Sequence, residues 1–166
     1  MTILTEVAAA VVDGYRRAGW QIVAAESLTG GALSDALVSV PGASDVFLGS
    51  VVAYSNLLKH SVLGVPESVL EANGPVSGQS AAAMAHGARR LLGNPSDTLV
   101  AVSATGVAGP GLQDGRPVGT IFIGLDSANG SVVEQFQFSG DRAAIRRQAV
   151  EQALRLLLSR LEANQN

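Results

Sequence analysis

Cysteine is absent from the 166 residues. Disulfides, thiolate metal sites and a cysteine nucleophile are thereby excluded, and a reducing compartment is permitted. Charge is scarce too: charged residues make up 15% of the chain, against a usual share of about 25%. The 11 Lys and Arg against 14 Asp and Glu leave a net charge of -3 and a pI near 5.3. No overall basic bias therefore points to nucleic acid. Apolar residues reach 47%, yet no apolar run approaches the ~20 residues that span a bilayer. So few charges on a chain without a membrane segment predict that part of the surface is covered in an oligomer. No Gly-Lys-Ser or Gly-Lys-Thr occurs, which removes a triphosphate-binding loop and with it an ATPase. Repeats, low-complexity segments and linkers are missing as well, and the length predicts one domain over residues 1–166. Glu6 and Asp13 interrupt the apolar positions that a secretory signal would need, so a cytoplasmic location is expected.

The stretch that organises the rest is Ala25-Glu26-Ser27-Leu28-Thr29-Gly30-Gly31. An apolar run, Trp20 to Ala25, predicts a buried strand before it, and Ala32 to about Val40 predicts a helix after it, ended by Pro41-Gly42. Strand-to-helix turns in open α/β sheets lie where ligands bind, and the first helical amides point out of them as unpaired donors. Two adjacent glycines would let a ligand approach that backbone. On spacing alone, an equal alternative is that Thr29 caps the helix and the glycines only tighten the turn.

Upstream, Ile3, Leu4, Val7, Val11 and Val12 recur at helical spacing, with Gly19 as a stop. Downstream, Ser44 to Phe47 predicts a short helical turn and Gly49 to Tyr54 a second strand. Ser55 or Asn56 would cap the next helix and place Lys59 in its first turn, where the helix dipole works against a cation. That position favours the neutral form a lysine base needs, although by composition alone a lysine reads as a solvated surface residue. Further elements are a short helix from Glu67 to Ala72, a long Ala-rich helix from Gly78 to Leu92 capped by Ser77, and a third strand from Thr98 to Ser103. A glycine-dense loop follows, from Ala104 to Pro117, and loops of this length are usually functional. Strands at Val118 to Leu125 and Ser131 to Phe138 flank a hairpin signal, Ser127-Ala128-Asn129-Gly130. A final helix, capped by Ser139-Gly140-Asp141, runs to about Leu161. Arg142, Arg146 and Arg147 crowd its first two turns against the dipole, so they are expected to meet carboxylates or an anionic ligand.

Ala25-Glu26-Ser27-Leu28-Thr29-Gly30-Gly31, Val52-Ala53-Tyr54-Ser55-Asn56 with Lys59, Gly64-Val65, Gly74-Pro75-Val76-Ser77, Thr105-Gly106-Val107-Ala108-Gly109-Pro110, Pro117-Val118-Gly119-Thr120 and Ser139-Gly140-Asp141-Arg142 stand in a telling order and spacing. They resemble the CinA carboxy-terminal domain family, and the chain closely resembles its stand-alone members, the nicotinamide mononucleotide deamidases. The resemblance covers nearly the whole chain. It implies an α/β fold, a three-layer α/β/α sandwich with a mixed five-stranded sheet, assembled as a homodimer. It also implies hydrolysis of the carboxamide of nicotinamide mononucleotide to the nicotinate nucleotide and ammonia, with no metal or other cofactor. In that resemblance the nucleophile falls on Ser27 and the base on Lys59. Leu112-Gln113-Asp114-Gly115 departs from relatives richer in glycine, and Arg116 stands where lysine is common, which bears on substrate affinity. Larger family members carry a further amino-terminal domain and were named for competence and DNA damage.

The chemistry asks for an activated nucleophile, oxyanion donors and an acid for the leaving nitrogen. His60 and His86 are the only histidines, and no Gly-x-Ser-x-Gly elbow accompanies either, so no serine-histidine triad is announced. A neutral Lys59 would take the Ser27 proton and return it to ammonia. Oxyanion donors are expected among the amides of Thr29, Gly30 and Gly31. Thr105, Gly106 and Arg142 are assigned to the ribose and phosphate of the nucleotide substrate. Tyr54 would face the pyridinium or hydrogen-bond near Lys59. Glu26 either orients neighbouring amides or caps a turn. Two readings of other classes stand beside this one: a phosphate-anion binding module without catalysis, which has no need of Lys59, and an interaction protein of a competence or damage pathway.

Overall fold

The computed structural model describes residues 2–163; residues 1 and 164–166 of the expected 1–166 domain lie outside the described residues. The chain opens with α1 (Ile3–Ala18), where the Thr2 hydroxyl accepts from the Thr5 amide and Gly19, at φ 69°, ends the helix in the left-handed region. Then come β1 (Gln21–Glu26), α2 (Ala32–Val38), a single 3₁₀ turn (Ala43–Asp45), β2 (Phe47–Val52), α3 (Asn56–Ser61) and α4 (Glu67–Asn73). α5 (Gly78–Arg90), β3 (Leu99–Gly106), β4 (Thr120–Ser127), β5 (Gly130–Gln137) and α6 (Arg142–Ala163) complete it.

The strands form one mixed sheet in the order β2-β1-β3-β4-β5. β1 runs parallel to β2 and β3, whereas β3, β4 and β5 pair antiparallel. Alternation along the central strands builds two cores. Ile22 and Ala24 of β1, with Val100, Val102 and Ala104 of β3, face the layer of α1, α2 and α6. Val23 and Ala25, with Leu99 and Ala101, face Met84, Ala85 and Ala88 of α5. Buried on both sides, these strands lack the polar alternation of a solvated sheet. The result is the expected α/β/α layering.

Small residues bring α5 close. A Cβ on Gly124 of β4 would lie 2.6 Å from the Ala81 carbonyl of α5, and one on Gly87 would lie 1.8 Å from the Leu63 carbonyl. Both glycines are packing requirements. Three strands depart from their sequence expectation: β2 starts at Phe47 rather than Gly49, β4 starts at Thr120 rather than Val118, and β3 runs on to Gly106 rather than ending at Ser103, which takes Ala104, Thr105 and Gly106 out of the expected loop. Pairing set these limits, since Phe47 lies opposite Ile22 and Thr120 opposite Gln137. The predicted helical turn at Ser44 to Phe47 moves back accordingly.

The parallel trio fixes the site. Glu26 stands opposite Val52 on one side and Ala104 on the other, so the turns after β1, β2 and β3 leave the sheet side by side at their carboxyl ends. The chain passes from β1 outward to β2 and then back across to β3, and the crevice at such a reversal is where open α/β sheets bind ligands.

Candidate active site

A cavity of about 390 Å³ opens at that reversal, lined by Ser27 and Leu28, by Tyr54 and Lys59, by Pro75 and Val76, by Thr105 and Gly106 at the end of β3, by most of the loop that follows as far as Gln113, and by Arg142. Ser27 is 8% exposed and Lys59 only 2%. The Ser27 amide donates to the Ala104 carbonyl of β3 at 2.9 Å, which ties the residue after the strand to its neighbour. Lys59 comes from α3, whose N-cap Ser55 accepts from the Leu58 amide. From there its Nζ reaches Ser27 Oγ at 2.9 Å, the Ala53 carbonyl at 3.0 Å and the Tyr54 carbonyl at 3.3 Å. Lys59 is thus no surface residue. Burial pulls its pKa from 10.5 down to about 8, so desolvation rather than the helix dipole is the cause of its weakened basicity.

The three partners of Nζ have a chemical consequence. A neutral amine has two N–H bonds and one lone pair. Two of its partners are carbonyls, which only accept, and the third is a hydroxyl, which can also donate. In the neutral state the two carbonyls therefore take the hydrogens and the lone pair is left for the Ser27 proton.

Glu26 is fully buried, and its carboxylate accepts from the amides of Gly31 at 2.9 Å, Leu33 at 3.1 Å and Ser34 at 3.0 Å, and from the Ser34 hydroxyl. It is the cap of α2. The charge sits on the positive end of the helix and satisfies donors that would otherwise be orphaned. This corrects the expectation for Gly30 and Gly31. The Gly31 amide is held by Glu26, the Gly30 amide donates to the Ser27 carbonyl at 3.1 Å, and neither glycine lines the cavity. Their role is conformational, at φ 59° and 95°. Thr29 is fully buried away from the cavity and does not cap α2, whose N-cap is Gly31.

At the other end of the cavity, Arg142 donates from Nη1 to the Gly109 carbonyl at 2.6 Å and from Nη2 to the Tyr54 hydroxyl at 3.2 Å. Thr105 lines the wall, but its hydroxyl donates to the Pro75 carbonyl at 2.8 Å. With its hydrogen engaged, the hydroxyl can only accept a further hydrogen bond, which suits a hydroxyl donor such as ribose and not a phosphate. Gly106 also lines the wall, and its missing side chain is explained by β4: a Cβ there would lie 2.3 Å from Ile121 Cδ1. His60 bonds the Val65 carbonyl through Nδ1 at 2.8 Å and His86 lies 3.5 Å from Asp126, and neither lines the cavity. Among the described residues no three His, Asp or Glu side chains converge as metal ligands, and no helix is long and apolar enough to cross a membrane.

The sequence pattern of the CinA C-terminal domain matches residues 4–161. The chain belongs to the CinA C-terminal domain family. It is 49% identical over 142 residues to a CinA-like protein of Thermotoga neapolitana, covering 85% of this chain and 34% of that protein. It is 46% identical over 136 residues to a CinA-like protein of Frankia casuarinae, covering 82% and 30%. The chain thus spans about a third of the length of the curated relatives it matches. Among solved structures, a CinA superfamily protein from Klebsiella pneumoniae superposes with a TM-score of 0.91 at 30% identity, over 98% of this chain and 99% of that one. A competence/damage inducible protein from Agrobacterium tumefaciens superposes with a TM-score of 0.87 at 32% identity, over the same shares.

Within this CinA domain the site has walls that residue chemistry did not announce. Pro75, Val76 and Leu28 belong to the motifs that carry the resemblance, but as apolar residues they gave no chemical sign of lining the cavity. Gln113 comes from the loop segment that follows Gly111.

Proposed function

We propose that the domain is a nicotinamide-nucleotide amidase that hydrolyses nicotinamide mononucleotide to the nicotinate nucleotide and ammonia. The observation that carries this reading is the buried Lys59 Nζ on Ser27 Oγ at 2.9 Å, with two carbonyls occupying its other hydrogens. A non-catalytic anion module would gain nothing from a desolvated lysine set on a serine. Burying that cation costs stability, and catalysis explains the cost.

In the first step the neutral Lys59 takes the Ser27 proton as Oγ attacks the carboxamide carbon. Collapse of the tetrahedral intermediate breaks the carbon–nitrogen bond, and Lys59 returns the proton to the leaving ammonia. Water then adds to the acyl-enzyme as Lys59 takes its proton, and collapse breaks the acyl–Oγ bond, releases the nicotinate nucleotide and returns that proton from Lys59 to Ser27 Oγ. Tyr54 and Arg142, at the cavity's far end, take the sugar-phosphate portion, with the Arg142 guanidinium on the phosphate. The Thr105 hydroxyl accepts from the ribose.

The family resemblance also supports a homodimer, and the surface agrees. Leu48 and Val52 on the edge strand β2 are 43% and 40% exposed, and Leu57 of α3 is 73% exposed. Pairing through this face would cover the apolar surface beside the Lys59 helix. The function is tested by incubating the purified chain with nicotinamide mononucleotide in the presence of a chelator and measuring ammonia and the nicotinate nucleotide. Stoichiometric release of both is expected, and no release would end the proposal.

A further inference from the structure

Arg146 lies on the second turn of α6 and does not line the catalytic cavity. The crowded arginines at this helix start were expected to meet carboxylates or an anion. Arg146 meets neither. Its Nε donates to the Leu28 carbonyl at 2.9 Å and its Nη2 to the Thr29 carbonyl at 2.8 Å, 118 and 117 residues away in sequence. A planar guanidinium offers two parallel donors in a fixed fork, so the pair of bonds sets the direction of both carbonyls at once.

In a trans peptide the N–H points opposite to the C=O it follows. Fixing the Leu28 carbonyl therefore fixes the Thr29 amide. Fixing the Thr29 carbonyl turns the Gly30 amide towards the Ser27 carbonyl, which it meets at 3.1 Å, and that bond in turn fixes the Leu28 amide. The Leu28 and Thr29 amides donate to no acceptor among the described residues. They are the first two amides after the nucleophile. An oxyanion formed by attack of Ser27 Oγ needs preorganised donors beside that oxygen.

Resting on the amidase reading, we infer that Arg146 is a positioning residue, holding the Ser27 turn so that the amide of Leu28, the residue of this pair that lines the cavity, serves as an oxyanion donor. It acts from outside the cavity. On its other side Arg146 borders a second cavity of about 370 Å³ between α1, α2 and α6, lined also by Leu4, Asp35, Ala36, Arg147 and Val150. That opening gives added guanidinium ion a route to the vacated position in Arg146→Ala.

The test compares wild type, Arg146→Ala and Arg146→Lys for ammonia release, with melting temperatures measured alongside. Arg146→Ala is expected to lose roughly 100-fold in kcat, the scale set by one oxyanion donor, with KM changed by less than about threefold because the loss falls on the transition state. Guanidinium chloride at millimolar concentration should restore part of kcat in Arg146→Ala and do nothing for wild type. Arg146→Lys, a point charge without the fork, should fall between the two. Wild-type kcat in Arg146→Ala, or a loss that guanidinium leaves untouched, would overturn the inference while the amidase reading stands. If the wild type itself releases no ammonia, that reading fails, and the rate of Ser27 labelling by a fluorophosphonate takes over as readout. Slower, guanidinium-rescued labelling in Arg146→Ala would then support the oxyanion hole. Equal labelling, or an unlabelled Ser27 in the wild type, would overturn it.

Discussion

The two ends of the catalytic cavity are built in opposite ways. At the Ser27 end, Glu26, Ser27, Thr29 and Lys59 are all buried, and the most exposed of them, Ser27, shows 8%. At the Arg142 end, Tyr54 is 63% exposed and Leu112 of the glycine loop 71%. Charge placed in a dry site acts through a low dielectric, and its geometry is fixed before substrate arrives. Charge at an open rim acts through water and is screened by salt. On the proposed amidase reading, the buried end would supply rate and the open end affinity for a charged tail. A substitution at the first should appear in kcat and one at the second in KM.

The sharpest break would come at the nucleophile. Ser27→Ala removes the atom that forms the acyl-enzyme, and its kcat should fall by at least about a thousandfold, the order seen when a covalent catalytic unit is dismantled. The fold should survive, since the Ser27 side chain bonds only Lys59. Near-normal turnover would mean that water attacks directly. Lys59→Arg tests the base itself. Arginine keeps the charge and cannot deprotonate near neutral pH, so it should be almost as inactive as Lys59→Ala, whereas an electrostatic role would be largely preserved. In the wild type, kcat/KM should rise with pH through about 8, where the buried Lys59 loses its proton. A flat profile across that region would separate Lys59 from proton transfer.

The same contrast governs what the sequence could reveal. The elements and their layering were legible because apolar periodicity is local and the central strands are apolar throughout. Ser27 and the Arg142 helix start were placed by their motifs. The burial of Lys59 was not legible from composition, since it depends on α3 turning its lysine under the β1 end. Glu26 as a cap escaped a definite reading because it acts five to eight residues ahead, on Gly31, Leu33 and Ser34, rather than from the N-cap position. Gly30 and Gly31 offered apparently free amides because their acceptors, a carboxylate and a carbonyl, become neighbours only when the turn closes. Arg146 was visible as an arginine against the dipole. Its carbonyl partners lie across the fold, beyond any spacing rule.

The buried end also predicts a stability cost with a definite sign. The folded pKa of Lys59, about 8, lies below its ordinary 10.5, so the unfolded chain binds more protons between those values. Stability then rises with pH across that window, and the penalty of burying the cation is present in full below about 8. Lys59→Met has no such penalty, although it leaves the Ala53 and Tyr54 carbonyls without a donor. Its unfolding free energy relative to wild type should be highest below pH 8 and should fall steadily as pH rises to 10.5, by at most ~1.4 kcal/mol for each unit between the two pKa values. Denaturant titrations of the two proteins across this range measure it. A difference independent of pH would show that Lys59 is not desolvated in the folded chain.

The smallest effect belongs to the open end. Arg142→Ala should raise KM for nicotinamide mononucleotide by about tenfold with kcat nearly unchanged, because a phosphate contact held equally in ground and transition states is uniform binding. The ratio to wild type should shrink as ionic strength rises, since exposed charges are screened within about 8 Å at physiological salt. Nicotinamide riboside separates two ways Arg142 could act. It lacks the phosphate, so its KM should be nearly the same in wild type and variant if the guanidinium binds that group. Arg142 also holds the Gly109 carbonyl and the Tyr54 hydroxyl, and if its work is to hold the loop, the riboside should suffer as much as the nucleotide. An equal rise in KM for both substrates would transfer Arg142 from the phosphate to the loop and leave the open end without its anion contact.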